Sequence, residues 1–189
     1  MVLLDGSDKK ALVIVVGMDG SLFGYENKYL KIAEVANDQY GYTVFVFSNP
    51  ASNWDIKDNG FSSVVRTVSE NMAEDYEVSY FGFSAGASVA MFHASEYAQV
   101  KQMLLVNPPL MINFPKALKG IKAFKGVSTL VIGERDQSIT LGRLIERDQK
   151  ASGISRVIIF PKADHNFTGM LTEFISLPFT YLLGEEKNS

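Results

Sequence analysis

The chain contains no cysteine. That excludes disulfides, thiolate metal sites and a cysteine nucleophile, and it agrees with a reducing compartment. Neither sign of charge is in excess: 18 Lys and Arg stand against 21 Asp and Glu, a net of −3. Such a balance leaves no electrostatic case for nucleic acid or an anionic membrane surface. No apolar run approaches the roughly 18 residues that a membrane span needs. The opening MVLLDGSDKK places its charges after a short apolar run, the reverse of a signal peptide. A cytoplasmic location is therefore expected. Histidine is scarce as well. Only His93 and His165 are available to any chemistry that needs an imidazole base.

What remains is an ordinary globular composition, 47% hydrophobic and 21% charged over 189 residues. This predicts one domain over 1–189, with its core at about 11–183 and a polar tail at 184–189. No internal repeat and no low-complexity linker marks a boundary. Six short β-branched or apolar runs read as strands, at 11–16, 42–47, 78–83, 100–106, 127–132 and 156–160. Between them, 27–40, 61–76, 85–94 and 141–151 read as helices, and 110–125 as holding one short helix. A last helix at 168–183 is expected to be interrupted by Pro178. Strand and helix alternate, and the strands are apolar throughout. The fold class is therefore α/β: a three-layer sandwich whose mostly parallel six-stranded sheet carries helices on both faces. In such a sheet the working groups gather at the carboxyl ends of the strands.

One stretch organises the rest. Residues 78–83 read as strand and 85–94 as buried helix, and Gly82-Phe83-Ser84-Ala85-Gly86 joins them. A serine on so tight a turn has its hydroxyl pushed out above the sheet edge, and glycines two residues either side avoid a steric collision. The Ala85 amide, opening the helix, points to where negative charge develops during acyl transfer. A serine hydroxyl needs a base, and the base needs an orienting carboxylate. His93 lies inside the helix that follows Ser84, roughly 13 Å along its axis at 1.5 Å per residue, which is out of reach. His165 lies in a loop after the sixth strand, at the same sheet edge as Ser84.

For the acid, Asp136 follows the fifth strand and is favoured. Glu134 is too near that strand, Asp148 falls inside a helix, and Asp164 adjoins His165 too closely to align with it. Asn107, at the end of the fourth strand, cannot carry the charge. Ser138 could instead cap the helix after Asp136. A second amide donor should come from the loop after the first strand, most simply Met18, where Gly17 and Gly20 allow close approach. Asp19 beside it is puzzling unless it points away or binds a polar part of a substrate. Trp54, Pro109 and Met111 are candidate pocket walls.

These residues resemble the α/β-hydrolase superfamily at VVGMDGS (15–21), GFSAG (82–86), GERDQSI (133–139) and ADHNF (163–167). The resemblance spans nearly the whole chain and implies a strand order of 2-1-3-4-5-6. It makes Ser84 the nucleophile, Asp136 the acid and His165 the base, with Met18 and Ala85 supplying the oxyanion amides. Many members carry a histidine where this chain has Val16, so the first loop should differ in shape. Only about 20 residues separate the fourth and fifth strands, where larger members insert a cap. The two antiparallel strands that often begin the family's sheet are expected to be missing.

The expected activity is a small, nearly capless serine hydrolase acting on a carboxylic ester or thioester, with no metal or organic cofactor. Two other readings use the same residues: a hydrolase fold serving as a binding or assembly module, and acyl transfer to an alcohol.

Overall fold

Strands with no polar alternation must be covered on both sides, and the chain does this with two helical layers. The computed structural model describes residues 1–49 and 60–184. Its strands are β1 (Val2–Leu4), β2 (Lys10–Met18), β3 (Thr43–Asn49), β4 (Glu77–Phe83), β5 (Val100–Val106), β6 (Val127–Gly133) and β7 (Arg156–Phe160). They form one sheet in the order β1-β3-β2-β4-β5-β6-β7. All pairs are parallel except β1 with β3.

The sheet thus has seven strands where six are expected. The order among those six is as expected, and β1 adds to the β3 edge with Leu3 opposite Phe45. Three residues are too few to show a period, so the sequence gives no sign of this strand. The antiparallel start of the sheet is thus present, as one short strand.

Alternate residues of the central strands feed opposite cores. On one face Val13, Val15, Phe45, Tyr80, Leu105 and Ile132 pack together. They meet α2 (Gly60–Ser69) through Phe61 and α3 (Ala85–His93) through Met91. Ile121 of α4 (Phe114–Ala123) and Ile145 of α5 (Ile139–Arg147) complete this layer. On the other face Leu12, Ile14, Val44, Phe81, Leu104 and Val131 meet α1 (Lys28–Tyr40) and α7 (Leu171–Tyr181) through Ile32, Phe174 and Leu177. Only α4 stands between β5 and β6, so no cap is inserted there.

Three helix readings change. The second helix stops at Ser69, and Glu70 and Asn71 turn back onto Arg66 and Val68. The stretch 141–151 divides at Asp148 (φ −132°, ψ 56°) into α5 and a short α6 (Gln149–Ser152). The last helix is not interrupted: α7 runs through Pro178. The proline ring removes one ladder bond near the helix end, and burial of Phe174, Leu177 and Pro178 itself holds the helix on the sheet.

Two glycines set where α3 begins. A Cβ on Gly86 would lie 2.2 Å from the Val15 carbonyl oxygen of β2. A Cβ on Gly82 would lie 2.7 Å from the Ala87 Cα of α3. Neither neighbour is the far end of a flexible side chain, so neither can give way cheaply. Gly86→Ala is therefore expected to destabilise the fold by about 3 kcal/mol, as an overpacked and well-ordered site should. Urea denaturation followed by circular dichroism checks this.

Candidate active site

The turn between β4 and α3 holds Ser84 at φ 51°, ψ −118°. A non-glycine residue there is strained by about 1–3 kcal/mol, tolerated only where its surroundings over-determine it. Here they do. The Ser84 amide donates to the Val106 carbonyl at 2.8 Å, and its own carbonyl accepts from Ala87 and Ser88 at the start of α3. Gly17 stands against it from β2: a Cβ there would approach the Ser84 Cβ to 3.3 Å.

The Ser84 Oγ is 3.0 Å from Nε2 of His165. On the other side of the same ring, Nδ1 is 2.6 Å from Oδ2 of Asp136. A carboxylate only accepts, so Nδ1 carries the hydrogen and Nε2 is left to accept from the serine hydroxyl. The Asp136 side chain is fully buried, whereas that of His165 is 31% exposed. Its second oxygen, Oδ1, accepts from the Ser138 amide at 2.6 Å. The three residues lie past the ends of β4, β6 and β7, as the sheet-edge argument requires. His93 is elsewhere, its Nδ1 2.9 Å from Glu96 on the surface.

Ser138 does not cap α5 with its side chain. Its hydroxyl donates to the Pro108 carbonyl at 2.9 Å and accepts from the Leu110 amide at 3.2 Å. It thereby ties the Asp136 turn to the loop after β5.

Asn107, discarded as an acid, has a different position in the network. It is wholly buried, at φ 47°. Its Oδ1 accepts from the Gly133 amide at 2.8 Å. Its Nδ2 donates to the carbonyls of His165 at 2.8 Å and Asp164 at 3.2 Å. One amide side chain thus joins the end of β6 to the histidine loop. The visible sign was an asparagine ending an apolar strand before two prolines, a place where αL is needed and asparagine tolerates it. Asp164 turns the same loop from below. Its Oδ1 accepts from the amides of Thr168 and Asn166, and these bonds, chiefly that to Thr168, hold its carboxyl below the usual range.

Ala85 is the first residue of α3, where an amide has no carbonyl partner within the helix. Met18 ends β2 and, with Gly17 and Ser84, lines a cavity of about 1150 Å³. The cavity continues past Lys28, Tyr29, Phe83 and His165 to Phe174. Its walls are the β2–α1 loop and the segment from Asn166 into α7. Asp19, exposed at φ 53° with its amide on the Asn49 carbonyl, does not line it, nor do Pro109 and Met111. Trp54 lies outside the described residues.

The sequence matches no protein-family model and no curated protein. The structure has many counterparts. Est1E from Butyrivibrio proteoclasticus superposes with a TM-score of 0.77 at 13% identity, covering 99% of this chain and 93% of that one. Dienelactone hydrolase from Anabaena variabilis gives 0.67 at 20% identity, with 96% and 90% covered. The chain has the α/β-hydrolase fold. An esterase from Pyrococcus furiosus, also of this fold, gives a TM-score of 0.68 at 20% identity over 95% of this chain and 84% of its own. Ser84, Asp136 and His165 stand in that order along the chain, after β4, β6 and β7.

The Asn107 brace is testable without any substrate. Asn107→Asp puts a carboxylate against two carbonyl oxygens in a buried site. At neutral pH it should cost about 3 kcal/mol in urea denaturation. Relative to wild type at each pH, that loss should shrink in acid, because the protonated carboxyl regains a donor. Hydrogen exchange at the Asp164 to Phe167 amides should accelerate more than at β2.

Proposed function

We propose that the protein hydrolyses a carboxylic ester or thioester through Ser84, His165 and Asp136. The observation that carries this reading is the continuous hydrogen-bonded path from Ser84 Oγ through the His165 ring to the buried Asp136 carboxylate. The structural likeness to esterases and a dienelactone hydrolase supports it at the level of fold.

In this reading Ser84 Oγ attacks the carbonyl carbon while its proton passes to His165 Nε2. Asp136 stabilises the imidazolium and keeps its Nδ1–H fixed. The carbonyl oxygen, now negative, takes hydrogen bonds from the amides of Ala85 and Met18. Collapse of the tetrahedral intermediate breaks the bond to the leaving oxygen or sulfur, which receives the proton from Nε2. Water, deprotonated by the same nitrogen, then attacks the acyl-enzyme and releases the acid and free Ser84. The strained serine backbone and the three strand ends that carry the groups reduce the reorganisation needed in each step. The partly exposed His165 and the absence of a cap between β5 and β6 suit an accessible ester better than a lipase substrate buried under a lid.

A fluorophosphonate probe should label the folded wild type, and Ser84→Ala and His165→Ala should abolish labelling. Absence of labelling in folded wild type would favour the binding-module reading. With p-nitrophenyl butyrate as substrate, Asp136→Asn should retain the fold and lower kcat on the order of 10³–10⁴-fold, since an amide no longer enforces the required tautomer.

A further inference from the structure

Lys28 is out of place by every local rule. It is the first residue of α1, where the helix dipole disfavours a cation. It is only 7% exposed, on the buried face shared with Ile32 and Ala36. Its ammonium lies 3.9 Å from the Phe174 ring centroid, 4.7 Å from that of Phe83 and 5.2 Å from that of Tyr29. Among the described residues no carboxylate pairs with it. An ammonium held only by aromatic faces has lost water without gaining a counter-charge.

The same residue lines the cavity that contains Ser84 and His165. The Phe83 ring touches both ends of the site, 5.5 Å from the His165 ring centroid as well as 4.7 Å from the ammonium. Glu26 and Glu173 also line the cavity, but both are exposed residues, whereas Lys28 is buried.

We propose that Lys28 is the anion-recognition residue of this site, and that the substrate is an ester or thioester carrying a carboxylate or similar anionic group on the part that enters the Lys28, Phe83, Phe174 end of the cavity. This rests on the proposed esterase reading for the reaction, but not for the binding. The α1 N-terminus adds positive potential at the same place, and the aromatic rings exclude the water that would weaken the ion pair. Bound substrate would supply the counter-charge that the fold omits. Burial lowers the Lys28 pKa from its ordinary value to about 8, so the group is mainly charged at neutral pH and loses its charge above that.

Binding is tested first, in Ser84→Ala, by calorimetry with two inert amides: glutaric acid monoanilide and its neutral counterpart valeranilide. The acid is expected to bind at least tenfold tighter, and Lys28→Met in the same background should erase the difference. Turnover is tested in the wild type with p-nitrophenyl hydrogen glutarate against p-nitrophenyl valerate. A second pair, 4-(butanoyloxy)benzoate against phenyl butyrate, places the anion on the leaving group. On at least one pair, kcat/KM should favour the anionic ester at least tenfold, and Lys28→Met should remove that preference.

The preference should also decline as pH rises through about 8. The other titratable groups lining the cavity are Tyr25, Glu26, Tyr29, His165 and Glu173. A hydrogen bond to Glu26 raises the Tyr25 phenol and burial raises that of Tyr29, and His165 acts on both members of a pair alike. Lys28→Met should raise the Tm, because it replaces a buried, unpaired charge with an apolar chain of similar length. Equal binding of the two amides, or a preference that survives Lys28→Met, would overturn the proposal. So would a lowered Tm with the preference intact, which would make the lysine structural. Selective binding of the acid by a protein that no fluorophosphonate labels would retain the anion site and remove the esterase reading.

Discussion

Helix α3 can begin where it does only because Gly86 has no Cβ, since the Val15 carbonyl occupies the space one would fill. That contact brings the helix start down onto β2, and Gly82 lets β4 turn into it without meeting Ala87. The turn left between them is too tight for ordinary backbone angles, so Ser84 takes a positive φ and its hydroxyl stands clear of the sheet. The exposure of the serine, the nearness of Gly17 and the direction of the Ala85 amide all follow from this one close approach. The strain at Ser84 is held by packing in both cores, where alternate residues of β2 and β4 are buried to within a few per cent.

The second constraint is how three separate strand ends are held in register. The Asp136 turn, the histidine loop and the loop after β5 share few backbone ladder bonds, so side chains join them. Asn107 bonds to Gly133, Asp164 and His165 at once. Ser138 bonds to Pro108 and Leu110, while its amide holds the Asp136 carboxylate. Gly133 allows the histidine loop to pass close by, since a Cβ there would lie 2.5 Å from the Ala163 carbonyl. In a buried network with every member paired, the loss of one donor displaces the others.

Around this rigid edge the cavity is built from less economical choices. A lysine is buried among three rings and opens a helix whose dipole opposes it. Departures of this kind from local consistency gather where a protein must meet a ligand. Here the departure shares a cavity wall with the serine and histidine, which is why the two proposals concern one site.

Much of this was legible in the residues. Apolar strands alternating with helices determined a covered parallel sheet, because unbroken β-branched runs cannot face water. The order of the six longer strands, and the choice of Ser84, Asp136 and His165 as neighbours, followed from the strand-end rule and from the scarcity of histidine. Other features depended on contacts between residues far apart in the chain. The strand Val2–Leu4 exists only through its pairing with β3, since three residues carry no period. Pro178 breaks a helix by local rules, but burial against the sheet overrode them. Asn107 and Ser138 looked like a rejected acid and a cap, and their real partners lie 26 to 58 positions away. Local sequence determines where a strand ends and which residues stand there, whereas the space between two such ends depends on how the layers above them pack.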